Sequence, residues 1–134
     1  VIQMQSEPGC RFCLANNLLV DTPWLESDHF FCLGSIDPLS PHGIMIIPRR
    51  HSETPFELNA AEWAGMGEMM AKASERLAPH GPDGFTVGWN VGAVGGQSVF
   101  HTHMHIIPRF KGEINEGAGL RRVLRPVKLL DADA

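Results

Sequence analysis

Residues 97–107 read Gln-Ser-Val-Phe-His-Thr-His-Met-His-Ile-Ile, which sets three histidines at alternate positions among apolar residues. Alternate residues of an extended strand share a face. At a rise of about 3.3 Å per residue, His101, His103 and His105 would follow one another at about 7 Å on one side of a sheet. Phe100, Met104 and Ile106 would then point the other way, into a core. A single histidine on a strand is ordinarily a solvated side chain. Three in strict alternation, after a glycine-rich loop ending in Gln97-Ser98, indicate a site.

The rest of the chain supplies the sheet that such a strand needs. DHFFCLG (28–34) and Gly43 to Ile47, stopped by Pro48, read as strands, the second buried on both faces. Phe85 to Val91 is a third, and Val99 to Ile107 a fourth. The loop Gly92 to Gly96 between the last two makes them antiparallel neighbours. Asn59 followed by Glu62 has the form of a capping box. Trp63, Met66, Met70, Ala73 and Leu77 then recur at helical spacing, predicting one amphipathic helix from about Ala60 to Leu77, closed by Pro79 and Gly81. Arg109 to Gly119 reads as loop. LRRVLRPVKLL (120–130) reads as a short helix ending near Arg125, or as a tail packing on a partner subunit. The pattern is an α+β domain, an antiparallel β-sheet with one main helix. At 134 residues one domain is expected over 1–134, with an N-terminal knuckle at about 8–15 and a C-terminal tail from about 111.

A formal charge of −4 argues against an extended nucleic-acid surface, so any phosphate recognition must be local. No apolar stretch approaches a membrane span, and VIQMQSEPGC lacks a basic segment and an apolar signal core. The chain therefore reads as soluble and cytoplasmic. Its three cysteines, two of them in Cys10-Arg11-Phe12-Cys13, fit a reducing compartment and metal binding better than a disulfide scaffold. Cys32 reads as a small buried apolar residue. A lone CxxC could also be a redox pair, but the thioredoxin-like βαβ context of such pairs is missing. A closed metal site needs two further ligands, and histidines are the candidates.

The pattern of three alternating histidines followed by two apolar residues, together with GGQSV (95–99), resembles the histidine triad family of nucleotide hydrolases and transferases. The resemblance runs from about Cys10 to Phe110. It implies a fold in which two subunits commonly pair to extend the sheet, so a homodimer is expected. It further implies that His103, the middle residue, attacks the α-phosphate of a nucleotide to form a nucleotidyl-histidine that water then cleaves. His105 would donate to a phosphoryl oxygen. Gln97, Ser98 and Asn90 would contact the phosphate or leaving group, Gly96 would allow close backbone approach, and His42 would support the catalytic strand as a neighbour of the substrate-contacting residues. In the bacterial relatives a CxxC is completed by the histidine of an apolar-Pro-x-x-His segment and by the first triad histidine. Here those residues are Cys10, Cys13, His51 and His101, a set suited to one structural zinc per chain. Four protein ligands would leave that ion no open position for water.

Two features refine the expectation. The third triad residue is His105 rather than the Gln of the sugar-phosphate nucleotidylyltransferase branch, which favours hydrolysis over transfer. Relatives usually carry a ribose-binding acid eight positions before the residue matching His42. Here that position is Gly34, and the nearest acid is Asp37. Two other classes compete. A catalytic HxH metal enzyme is disfavoured because the residues after the motif do not match the metallo-β-lactamase or cupin patterns, and the chain is too short for an amidohydrolase barrel. A nucleotide-binding or scaffolding protein with little turnover is disfavoured by the intact His103 and His105.

Overall fold

The computed structural model describes residues 5–38 and 40–124. Five strands, β1 (Leu25–Glu26), β2 (Phe30–Gly34), β3 (Ile44–Pro48), β4 (Gly84–Trp89) and β5 (Met104–Arg109), form one antiparallel sheet in the order β1-β2-β3-β5-β4. One long helix, α1 (Ala60–Leu77), lies on it. This is the α+β arrangement that the sequence predicts.

The continuous apolar runs of β2 and β3 are explained by cover on both faces. Phe30, Cys32, Ile44 and Ile46 face α1, together with Met104 and Ile106 of β5. Phe31, Leu33, Met45 and Ile47 face the opposite way and are covered by Phe12 of the N-terminal segment. All five residues of β3 are buried, as expected. Cys32 is wholly buried, and burial pushes its thiol up to about 12, so it is an inert core residue.

The helix starts where the capping box places it. Asn59 Oδ1 accepts from the Glu62 amide at 2.9 Å, and the Glu62 carboxylate accepts from the Asn59 amide at 2.8 Å. Glu62 is only 1% exposed, a burial offset by Arg50 Nη2 at 2.7 Å. The buried stripe of α1 is Met66, Met69, Ala73 and Leu77. Met69, rather than Met70, is therefore the deeper of the two adjacent methionines. Trp63 is not a core residue but stands half-exposed, its ring edge-on to Trp89.

The main departure lies between β4 and β5. The last strand, β5, begins at Met104, not Val99, and residues 90–103 form a long connection rather than a loop confined to Gly92–Gly96. The reason is where the connection's hydrogen bonds go. Gln97 and Thr102 bond to the 52–53 segment, so this stretch is held across the sheet end instead of in a ladder. Phe100 is accordingly 47% exposed, not in the core. After β5, turns lead to a 3-10 segment at Leu120–Leu124. The expected continuation to Arg125 and the apolar tail lie outside the described residues. Among the described residues no helix is long and apolar enough to cross a membrane.

Candidate active site and metal centre

The N-terminal turn brings Cys10 and Cys13 to the end of β3, where His51 and the connection bearing His101 meet them. Cys10 Sγ lies 3.4 Å from His101 Nδ1, and Cys13 Sγ lies 3.3 Å from His51 Nδ1 and 3.5 Å from His101 Nδ1. All four ligand atoms fall within 4.8 Å of one another. A tetrahedral zinc with Zn–S of about 2.3 Å and Zn–N of about 2.05 Å requires S···N edges of roughly 3.6 Å, so the spacing fits. The tautomer fits as well. His101 Nε2–H donates to the Pro48 carbonyl at 2.7 Å, which leaves Nδ1 free for a metal. Burial lowers the pKa of His101 to about 4, keeping it neutral, and burial pushes the Cys13 thiol up to about 11. A neutral imidazole is ready to ligate. The raised thiol would need a cation's charge beside it to ionise.

The two histidine-bearing segments are stitched together next to these ligands. The Thr102 amide donates to the Ser52 carbonyl at 2.7 Å, and the two hydroxyls lie 2.7 Å apart, with both residues buried. His51 and His101 are thus each adjacent to a residue of one buried polar pair. Sequence reading missed this pair, because Ser and Thr beside histidines carry no spacing signal of their own.

His103 does not share a regular strand with His101. It stands just before β5 and is 7% exposed. Its Nδ1–H donates to the His101 carbonyl at 2.8 Å, which leaves Nε2 as the free, basic nitrogen. Phe12 packs edge-on against the ring at 5.2 Å between centroids, and the His105 ring follows at 5.0 Å. Burial lowers the pKa of His103. The nearby Arg11 lowers it further, against the opposing effect of the bond to His101. Burial and His103 lower that of His105, while Asp37 opposes them. Both rings are therefore held neutral.

His103 and His105 line a cavity of about 460 Å³, a size that suits a small-molecule ligand. Asn90 and Ser98 line it too. Ser35 and Asp37 do so from the loop after β2, whereas Gly34 is not in the wall. Three residues expected at the site stand outside the cavity wall. Gln97 is 5% exposed and its amide is taken up by the loop itself. Its Nε2 donates to the carbonyls of Glu53 and Val99 at 2.6 and 3.1 Å, and its Oε1 accepts from the Gly92 amide at 2.8 Å. It braces the loop and is absent from the cavity wall, as is Gly96. The need for glycine at 96 is conformational, with φ +97°. His42 is not in the wall of the His103 cavity but lines a neighbouring one with Ile107 and Arg109 of β5. It is exposed, with its ring stacked on His80 at 3.8 Å.

Three relatives place this geometry among known proteins. An uncharacterized HIT-like protein of Methanocaldococcus jannaschii is 31% identical over 105 residues, covering 78% of this chain and 81% of its own. An adenylylsulfatase of Arabidopsis thaliana is 38% identical over 104 residues, covering 75% of this chain and 52% of its own. The solved structure of a histidine triad protein from Clostridium difficile superposes with a TM-score of 0.65 at 27% identity, covering 81% of this chain and 97% of that one. The HIT domain model itself matches residues 21–112, the stretch from β1 to just past β5 that carries all three triad histidines, and on that ground the chain belongs to the HIT domain family.

Proposed function

We propose that this protein hydrolyses nucleotides at the α-phosphate, in dinucleoside polyphosphates or nucleoside phosphoramidates, through a nucleotidyl-histidine on His103. The observation that carries the reading is the Nδ1 bond of His103 to the His101 carbonyl, which leaves a neutral Nε2 on a ring that lines the cavity. In the first step Nε2 attacks phosphorus, the bond to the leaving oxygen or nitrogen breaks, and the leaving group departs with the electron pair, a leaving nitrogen taking up a proton from solvent to depart as the amine. In the second, water attacks the same phosphorus, the P–N bond to His103 breaks, and a nucleoside monophosphate is released. His105 and Ser98 stabilise charge on the phosphoryl oxygens. Asp37 and Ser35, on the wall beside His105, hold the sugar in place of the acid missing at Gly34.

Cys10, Cys13, His51 and His101 would hold one zinc ion, which supplies structural cross-linking and no step of the reaction. Its ligand set joins the N-terminal turn, the end of β3 and the segment that orients His103. The reading includes a homodimer, for which Phe85 on the edge strand β4, 42% exposed, and Trp63 on α1, 46% exposed, offer apolar surface.

Single-turnover labelling with an α-phosphate-radiolabelled nucleotide, across diadenosine polyphosphates and adenosine phosphoramidate, tests the reaction. Label retained on the protein and lost in His103→Ala is the expected result. Nucleotide binding with neither label nor turnover would leave a binding protein instead.

A further inference from the structure

The cavity around His103 carries one cation among the described residues, and it comes from between the two cysteines. Arg11 lines the cavity, exposed, while its neighbour Phe12 is 1% exposed beneath it. The guanidinium carbon lies 4.9 Å from the Phe12 ring centroid, and that ring is 5.2 Å from His103. The stack on Phe12 restrains a long, flexible side chain at the mouth of the site. Every other wall residue is neutral, a histidine or Asp37.

We infer that Arg11 binds the phosphates of an anionic leaving group and so sets the substrate class of this site as polyphosphate-bearing nucleotides over phosphoramidates. The inference rests on the α-phosphate hydrolysis proposed above. A phosphoramidate brings charge only at the attacked phosphate and releases an uncharged amine. A dinucleoside polyphosphate brings several further negative charges into a cavity that already contains an acid, in a chain of net charge −4. Without a cation those phosphates would be desolvated against repulsion. Arg11 can meet them with paired N–H donors. When the P–O bond breaks, the electron pair remains on the departing phosphate oxygen, and the guanidinium offsets that charge. Cys10 and Cys13 flank Arg11, so the same turn that gathers the metal ligands also delivers the cation.

The test compares parent, Arg11→Ala, Arg11→Gln and Arg11→Lys proteins in kcat/KM for diadenosine tetraphosphate and for adenosine phosphoramidate, with metal content measured for each. The ratio of the two values should fall by at least about tenfold in Arg11→Ala and Arg11→Gln, and recover in part in Arg11→Lys. Calorimetric titration with inorganic tripolyphosphate should show weaker binding in the same two variants, while binding of adenosine 5′-monophosphate changes less. Should Arg11→Ala lose metal, the Gln and Lys variants carry the comparison. An unchanged ratio, or equal losses on both substrates, overturns the inference. If the parent cleaves neither substrate, the hydrolase reading fails, and tripolyphosphate binding still decides the role of Arg11.

Discussion

The carbonyl oxygen of His101 stands 2.8 Å from Nδ1 of His103, while the side chain of His101 turns its own Nδ1 toward Cys10 and Cys13. One residue thus belongs to two constellations, by its ring to the candidate metal group and by its backbone to the candidate nucleophile. Anything that shifts His101 must alter the orientation of His103. The two sites are therefore coupled through a peptide unit rather than through a shared ligand.

This coupling predicts how metal loss is felt. The protein should contain about one zinc per chain, and Cys13→Ser should lose it and lower Tm strongly, because binding energy at such a site is folding energy. Labelling of His103 should fall with it. Metal analysis of protein prepared without chelator checks the stoichiometry, and a metal-free parent of unchanged Tm would exclude the site.

The triad members should separate in their effects. His103→Ala removes the attacking nitrogen and should lower turnover by several orders of magnitude, leaving zinc in place. His105→Ala should lower it less, since it removes electrostatic help but leaves the nucleophile. His101→Ala should instead lower zinc content and Tm. Kinetics and metal analysis on the three purified variants distinguish these outcomes.

What the sequence made legible follows from how each signal works. The helix was readable to the residue because Asn59 and Glu62 mark its start by local hydrogen bonds and Leu77 precedes Pro79. β2 and β3 were readable because apolar runs report burial directly. The alternation of the three histidines identified the site but implied too regular a geometry. His101 and His103 lie before β5, and their directions are fixed by the Pro48 carbonyl, the 52–53 segment and each other. The contacts to Pro48 and Ser52 join residues about fifty positions apart, which no local period encodes. The family resemblance implies a substrate contact for Gln97, yet its amide closes the loop on itself. Arg11 went unassigned because a charged residue between two cysteines has no pattern that tells a solvent-facing side chain from one lining a cavity.

The Ser52–Thr102 pair offers a stability test independent of metal ligation. Thr102→Val keeps the shape but leaves the buried Ser52 hydroxyl without its partner at 2.7 Å. An unsatisfied buried group of this kind costs about 1–3 kcal/mol. Thr102→Ser, which keeps the hydroxyl, should cost less. Urea denaturation of the two variants measures the difference. Equal stability of Thr102→Val and the parent would show that the pair contributes nothing.

The pH dependence of labelling follows from the state of His103. Attack requires the neutral ring, so the rate falls once His103 takes up a proton. Burial is the largest influence on it and lowers its pKa from the ordinary value of about 6.5; Arg11 acts in the same direction, against the bond to His101. The acid limb of the single-turnover rate should therefore lie below pH 6.5, and the rate should be level through neutrality. Replacing Arg11 by Ala removes a charge that disfavours protonation, so that limb should move upward in pH. The expected profile is measured by rapid quench of the labelled intermediate from pH 5 upward at constant ionic strength. A half-maximal rate at or above pH 6.5 in the parent would mean that His103 is charged more readily than its burial allows, and the neutral-nucleophile mechanism would have to be abandoned.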